Sequence, residues 1–299
     1  MNKTTIKTLL LSCLTAGLAS CSPTAQEAHT DLRYKFGNIL NISLTPDSTV
    51  RRAGCFTDAG SWMGFTIPET DKWVNGFCGP FSIDNRMWFA QSAVNVDFLN
   101  GEGNLSPDST SYFPGEVYIA SSSERGTIEQ RMNFINSSTA LLQITSNTNN
   151  GFIITGKEWN NNVRLEQEDQ TITAYHPNGE IVQLTFMPEI TVTCNGKNYI
   201  AQTDKQCSRT NVAISFYFTN EELVSGTQKN IALLQNTEQA LQNNAQRWQT
   251  YLQKILRKDM KHEYDRVAVK SIVTLISNWR THREGLLHEG VIPSHAVSY

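Results

Sequence analysis

The feature that most constrains this chain is a long series of short alternating segments separated by turn residues, from about residue 34 to residue 218. Glu116–Ala120, Thr127–Ile135, Thr139–Thr145 and Phe152–Thr155 are rich in β-branched and aromatic residues, and Gly126, Asn136-Ser137 and Asn149-Asn150-Gly151 break them. Thr171–Tyr175 and Ile181–Phe186 flank His176-Pro177-Asn178-Gly179, the composition of a hairpin turn. Ile190–Cys194 and Asn198–Ala201 around Asn195-Gly196 predict a second hairpin. In Val212–Phe218 the residues Val212, Ile214, Phe216 and Phe218 share one face, the period-2 pattern of a strand with one side on a core. Many short antiparallel strands at this spacing predict a sandwich.

After Asn220 the period changes. Leu241, Ala245, Trp248, Leu252 and Ile255 fall on one helical face, as do Val269, Ile272, Val273, Ile276 and Trp279, with a polar break at Asp259–Glu263. Two helices are predicted, and the sandwich is what they have to pack on. The fold class is therefore mainly β: an antiparallel sandwich followed by two linker helices.

The N-terminus carries an export signal. Lys3 and Lys7 precede an apolar run, Leu9–Ala19, that is shorter than the roughly 20 residues a membrane-spanning helix needs. It ends in Leu18-Ala19-Ser20-Cys21, the lipobox pattern of bacterial lipoprotein signals. Residues 1–20 are then the signal, Cys21 the lipidated residue and 21–32 a polar tether. More than one acyl chain on Cys21 gives stable anchoring. Ser22 resembles the residue found in lipoproteins sent on to the outer membrane, on its periplasmic or surface face. An ordinary cleaved signal with a chance cysteine is the other reading.

Charge removes one class of partner. Lys+Arg 25 against Asp+Glu 28 leaves a net charge of −3, with no basic excess to neutralise phosphates, so nucleic acid is not expected. Of the six cysteines, Cys13 leaves with the signal and Cys21 is lipidated, which leaves Cys55, Cys78, Cys194 and Cys207. An even number in an exported chain is compatible with two disulfides in any of three connectivities, among which the sequence does not choose; neighbour pairing, Cys55–Cys78 and Cys194–Cys207, is the one taken here, with buried thiols as the alternative. No Cys or His spacing supports a zinc site.

One cluster has the residue types that grip a sugar. Phe56, Asp58, Trp62 and Phe65 supply aromatic faces and a carboxylate at close spacing, and Gly60 and Gly64 permit a tight protruding loop. The competing reading is packing at an interface. Trp73, Trp88 and Trp159 are further candidates for a sugar-lining surface. The scattered acids Asp71, Asp84, Glu116, Glu166, Glu168, Asp169, Glu221 and Glu222 read as solvated surface, the run from Glu166 to Asp169 forming an acidic hairpin edge. No catalytic pair is assigned.

The same cluster carries a resemblance. Phe56-Thr57-Asp58-Ala59-Gly60-Ser61-Trp62-Met63-Gly64-Phe65, then Ile67-Pro68 and Gly76-Phe77-Cys78-Gly79-Pro80, resembles the opening motif of bacterial glycoside hydrolase family 63 α-glucosidases, the mannosyl-oligosaccharide glucosidase-like enzymes. Phe113-Pro114-Gly115, Ser138–Leu142, Arg247–Leu252, Arg266–Lys270, Asn278-Trp279-Arg280 and Pro293-Ser294 are similar to further family segments in order and spacing. The resemblance implies an N-terminal β-supersandwich over 33–220, a helical linker over 221–282 and the first residues, 283–299, of an (α/α)6 barrel.

In that family the barrel holds both catalytic carboxylates of an inverting exo-α-glycosidase, and a Trp-x-Trp-Asp segment follows the Pro-Ser. The sequence ends at Tyr299, before that segment. The expectation is a truncated α-glucosidase-like enzyme acting on α-linked oligosaccharides, incompetent without a barrel that is missing or separately encoded. A glycan-binding or partner-docking surface lipoprotein is the alternative. No organic cofactor is expected; a structural Ca²⁺ is compatible with the family. Trp248 and Trp279 are expected to face the barrel, and to lie exposed without it.

Overall fold

The computed structural model of the protein describes residues 31–46, 54–69, 73–101, 105–256 and 261–282, and the backbone of 290–291. The signal, Cys21 and most of the tether lie outside these residues, as do Asp71, His288, Pro293-Ser294 and most of 283–299. Asp31 and Leu32, the last two residues of the expected tether, are described. Asp31 caps a 3-10 turn, Leu32–Phe36, and the Leu32 N–H donates to Gln249 Oε1 at 3.1 Å, which docks this segment on a helix.

The strands are β1 (Met63–Thr66), β2 (Cys78–Ser82), β3 (Met87–Trp88), β4 (Ala90–Phe98), β5 (Ser109–Phe113), β6 (Glu116–Ser123), β7 (Gly126–Phe134) and β8 (Thr139–Ser146). They continue as β9 (Phe152–Trp159), β10 (Arg164–Glu168), β11 (Thr171–Tyr175), β12 (Ile181–Phe186), β13 (Thr191–Cys194), β14 (Tyr199–Gln202) and β15 (Arg209–Tyr217). Three helices follow, α1 (Asn220–Gln235), α2 (Thr237–Ile255) and α3 (Asp265–Asn278), and then a two-residue pairing of β16 (Trp279–Arg280) with β17 (Gly290–Val291). One sheet has the order β1-β2-β4-β9-β14-β13, with β3 on β2; the other runs β10-β11-β12-β15-β8-β7-β6-β5. Pairing is antiparallel except between β2 and β4.

The mainly-β expectation holds, and the two sheets share one apolar core. Val96, Ile154 and Ala201 of the first sheet and Ile128, Ile144, Leu184 and Val212 of the second belong to a single buried cluster. Rings bridge the layers: Phe186 on β12 lies 5.7 Å from Tyr199 on β14, and Phe65 on β1 lies 6.0 Å from Phe134 on β7. Both hairpins form where their turn residues place them.

Among the described residues there are three α-helices rather than the two expected. Thr219 opens α1 as an N-cap, its Oγ1 accepting from Glu222 N at 3.2 Å, while Glu222 Oε2 reaches back one residue beyond the cap to accept from Phe218 N at 2.8 Å. Leu223, Asn230 and Leu234 of α1 cover the outer face of the second sheet. That is why Ala213, Ser215 and Tyr217 of β15 are buried as well as Val212, Ile214 and Phe216. The outer residues are small or polar because a helix lies on them: Asn230 Nδ2 donates to Ser215 Oγ at 2.9 Å and to Tyr217 Oη at 3.1 Å.

The expected disulfides are absent, and all four cysteines stand as thiols. Strand β1 runs between the first two. Cys55 lies against Gly64, beside the Phe56–Phe65 bridge on one edge, and Cys78 pairs with Thr66 on the other. Two interstrand spacings, about 9–10 Å, exceed the span of a disulfide. Cys194 sits at the turn end of the β13–β14 hairpin and Cys207 beyond its far end. A four-residue strand puts about 10 Å between them.

Candidate functional site

The sugar-gripping cluster is inside the protein. Phe56 and Phe65 are each 1% exposed, Asp58 1% and Trp62 7%, so no ring among them offers a face to a pyranose. Phe56 bonds Phe65 reciprocally through the backbone, N to O at 2.7 and 2.9 Å, and its ring stacks at a tilt on Phe134 at 5.3 Å. Trp62 donates Nε1 to Thr281 O at 3.1 Å and meets Phe218 edge-on. Interface packing is the reading the geometry carries.

Asp58 is the centre of that interface. It starts a tight turn closed by Ser61 N to Asp58 O at 3.0 Å, with Ala59 and Gly60 at positive φ of 54° and 76°. Each carboxylate oxygen accepts two bonds. Oδ1 takes Ala59 N at 2.6 Å and Arg247 Nη1 at 2.9 Å; Oδ2 takes Arg247 Nη2 at 2.6 Å and Trp248 Nε1 at 2.7 Å. The bidentate fork fixes direction as well as charge. Burial disfavours the Arg247 charge, but the Asp58 hydrogen bonds and charge outweigh that and raise its pKa above the ordinary guanidinium value.

The neighbours of this pair finish the joint. Asn244 Oδ1 accepts from Arg247 Nη2 at 2.6 Å, and its amide reaches Gly115 O at 3.2 Å and Asn133 Oδ1 at 2.9 Å. Gly115 has φ +77° and lies flat on the Trp248 indole, where a Cβ would stand 2.0 Å from Cδ1 and Nε1. Gly60 meets Trp279 likewise, and its carbonyl accepts from Thr281 N and Oγ1, both at 3.0 Å. Arg266 Nη2 reaches Gly37 O at 3.2 Å and Asn38 O at 3.1 Å. The family-like segments around Asp58, Gly115, Arg247, Arg266 and Trp279 are thus the points at which sandwich and helices are fastened.

This corrects one expectation. Trp248 is 1% exposed, buried against the sandwich, and Trp279 is half-buried on Gly60; neither stands bare. The apolar residues that α3 does present to solvent are Val267 and Leu275. Of the remaining tryptophans, Trp88 is buried on Phe81, Trp159 is half-buried beside Tyr199 and Trp73 is 63% exposed.

Glu116 was missed as a buried group. It is 5% exposed and accepts from Arg131 Nη1 at 2.7 Å, Tyr34 Oη at 3.2 Å and Asn133 Nδ2 at 3.4 Å. Arg131, two pleats along the neighbouring strand, was the available signal. Glu180, 2% exposed, accepts from Ser82 Oγ at 2.6 Å and ties the two sheets at one end. Asp58, Glu116 and Glu180 are thus each ringed by donors of this chain, a structural arrangement and not that of a general acid facing a general base. Glu166, Glu168 and Asp169 do lie on an exposed edge hairpin. Among the described residues no three His, Cys, Asp or Glu converge to hold a metal ion.

No protein-family model and no curated protein matches the sequence. Solved structures do. The chain is similar to a family GH92 glycosyl hydrolase at TM-score 0.53 and 11% identity, over 85% of this chain and 44% of that one. It also matches a family GH92 inverting mannosidase from Bacteroides thetaiotaomicron at TM-score 0.45 and 8% identity, over 64% and 31%, and a family 81 glycoside hydrolase from Clostridium thermocellum at TM-score 0.35. The chain spans less than half the length of each. The fold, a β-sandwich followed by helices, is similar to that part of the GH92 glycosyl hydrolase. At these identities the likeness is one of fold.

Proposed function

We propose that this chain is the sandwich-and-linker part of an inverting exo-α-glycosidase of the family 63 kind, acting on α-linked glucosides or oligosaccharides. The observation that supports it most is the joint itself: the motif residue Asp58 grips the motif residues Arg247 and Trp248 across 189 and 190 positions of sequence. Motifs recognised separately, in the family's order, meet in one contact. The fold likeness to a GH92 glycosyl hydrolase over 85% of the chain agrees with a glycosidase architecture.

In this reading the chemistry belongs to a barrel. Inversion needs a carboxylic acid to protonate the glycosidic oxygen and a carboxylate to activate water on the opposite face, about 6.5–9.5 Å apart. The sandwich and linker seat that barrel. Lipidation at Cys21 would hold the enzyme on the outer membrane; radiolabelled palmitate should enter the protein and fail to enter Cys21→Ala.

Two experiments test the reading together. The genomic sequence beyond the Tyr299 codon is read in all three forward frames, and the encoded product is assayed on 4-nitrophenyl α-glucoside and α-mannoside with NMR of the released anomer. A barrel with two carboxylates and release of the β-anomer is the expected result. Hydrolysis by the 299-residue chain alone, or a locus with no barrel and no turnover, overturns it.

A further inference from the structure

Large exposed apolar side chains gather on two of the helices. Val224 and Ile231 stand on α1, 70% and 38% exposed. Val267 and Leu275 stand on α3, with Tyr264 just before it, each more than half exposed. Apolar patches of this kind mark contact surfaces.

The α1 patch borders a cavity of about 360 Å³ that separates α1 from β10, β11 and β12. Thr171 and Gln183 in its floor are bonded within the chain, and its open apolar lining is Val224, Ile231, Pro188 and Tyr175. Glu168 and Asp169 are exposed on the opposite rim, and no Lys, Arg or His among the described residues lines the cavity. Arg164, 5.3 Å over the Tyr175 ring, is already paired with Glu166. The groove is therefore complementary to an apolar surface that carries positive charge.

Helix α3 has that chemistry. Val267, Ser271 and Leu275 recur at four-residue intervals on its exposed side. Lys270 and Arg266 run along one border of that stripe, Arg266 already reaching Gly37 O and Asn38 O. After Asp265, which lies 3.0 Å from His262 Nδ1, the helix holds no carboxylate. The lengths agree: at 1.5 Å per residue, Val224 to Ile231 spans about 10 Å and Val267 to Leu275 about 12 Å. Ser271, small and midway, lets two helices approach. Both faces are exposed in the single chain, so they do not meet within it.

We infer that α3 of one copy docks on the α1 groove of another, Val267 and Leu275 against Val224 and Ile231, with Lys270 toward Glu168 and Asp169. Two different surfaces make a heterologous contact, which propagates head to tail. One helix pair covers little area, so the contact belongs to the weak class, with a Kd on the order of 100 µM. Association is read without turnover, and a failed hydrolysis assay leaves it standing.

Sedimentation velocity of the 299-residue chain from about 10 µM to about 1 mM tests it. Growth past the dimer with concentration is expected, reversed as NaCl rises from about 50 to about 500 mM. Ile231→Glu and Leu275→Glu, both at exposed positions, should each weaken association at least tenfold with the melting temperature unchanged. The first variant keeps α3 intact and the second keeps the groove. An equimolar mixture should therefore associate again and stop at the dimer. A chain monomeric at about 1 mM overturns the inference, as does association that either substitution leaves unchanged. A mixture no tighter than its components overturns the head-to-tail contact. A monomeric chain that binds an amphipathic Leu/Lys peptide at Ile231 makes the groove a seat for some other partner, and overturns it too.

Discussion

Replacing Asp58 with Asn is the sharpest perturbation of the joint, because it removes charge while keeping shape. Each carboxylate oxygen already accepts from two donors, so an amide in either orientation turns its NH2 toward two N–H groups. One orientation opposes Ala59 N and Arg247 Nη1; the other opposes Arg247 Nη2 and Trp248 Nε1. Arg247 is also left without its counter-charge, with its side chain 26% exposed and Asp58 at 1%. Breaking a buried pair costs about 3–5 kcal/mol. Arg247 keeps Asn244 and some contact with water, which sets the expectation near about 3 kcal/mol, a drop in melting temperature of about 6–12 °C for a chain of this size. Urea unfolding followed by tryptophan fluorescence measures it, since Trp248 reports on the joint directly. A cycle with Arg247→Met should return a coupling of about 2 kcal/mol or more. A cost under about 1 kcal/mol for Asp58→Asn, with coupling near zero, would refute the clamp. Unchanged stability with lost glycan binding would refute it too, and restore Asp58 as a sugar ligand.

Gly115→Ala should cost about 3 kcal/mol or more, from the positive φ and the Cβ driven into the Trp248 indole, and red-shift the tryptophan emission as α2 lifts; an unchanged spectrum counts against it. Asn230→Ala should cost about 1–3 kcal/mol and lower hydrogen-exchange protection across α1, since Ser215 Oγ and Tyr217 Oη lose their buried partner. Burial pushes the Cys55 and Cys78 thiols up to about 12 from 9.0, so the folded chain holds two protons that the unfolded chain releases above pH 9. Their stabilisation is full below pH 9 and is lost as pH rises toward 12, at up to about 3 kcal/mol per pH unit. Urea midpoints at pH 8 and pH 10.5 should fall steeply in the wild type and less so in Cys55→Ala/Cys78→Ala; equal slopes would mean that these thiols do not titrate as buried groups.

The parts of this fold legible in sequence were those governed by local rules. Thr171–Tyr175 and Ile181–Phe186 come out as strands with the bounds their alternation and turn residues set. Strand β4 was not singled out, because Ala90–Phe98 is buried on both faces along most of its length and shows no period of two. Helix α1 was not separated from the linker for a related reason. Its buried positions include Gly226 and Asn230, matched to Tyr217 and Ser215 rather than to an apolar core, so no hydrophobic stripe announces it. The cysteines were misjudged on an even count; β1 lying between Cys55 and Cys78 is a tertiary fact.

The same limit explains how Asp58 was misplaced. Phe56, Asp58, Trp62 and Phe65 have the composition of a sugar platform, and composition does not distinguish a ring that faces water from one that faces Phe134. What distinguishes them is Arg247, 189 residues away, whose guanidinium fork fits the Asp58 carboxylate and draws Trp248 onto Gly115. The rings beside that pair are buried on other parts of the fold: Phe56 on Tyr112 and Phe134, Phe65 on Phe134, and Trp62 on Phe218 and Thr281. The linker helices are then required by the sandwich, whatever else they carry. A carboxylate that accepts four hydrogen bonds to hold α2 has none left for a ligand.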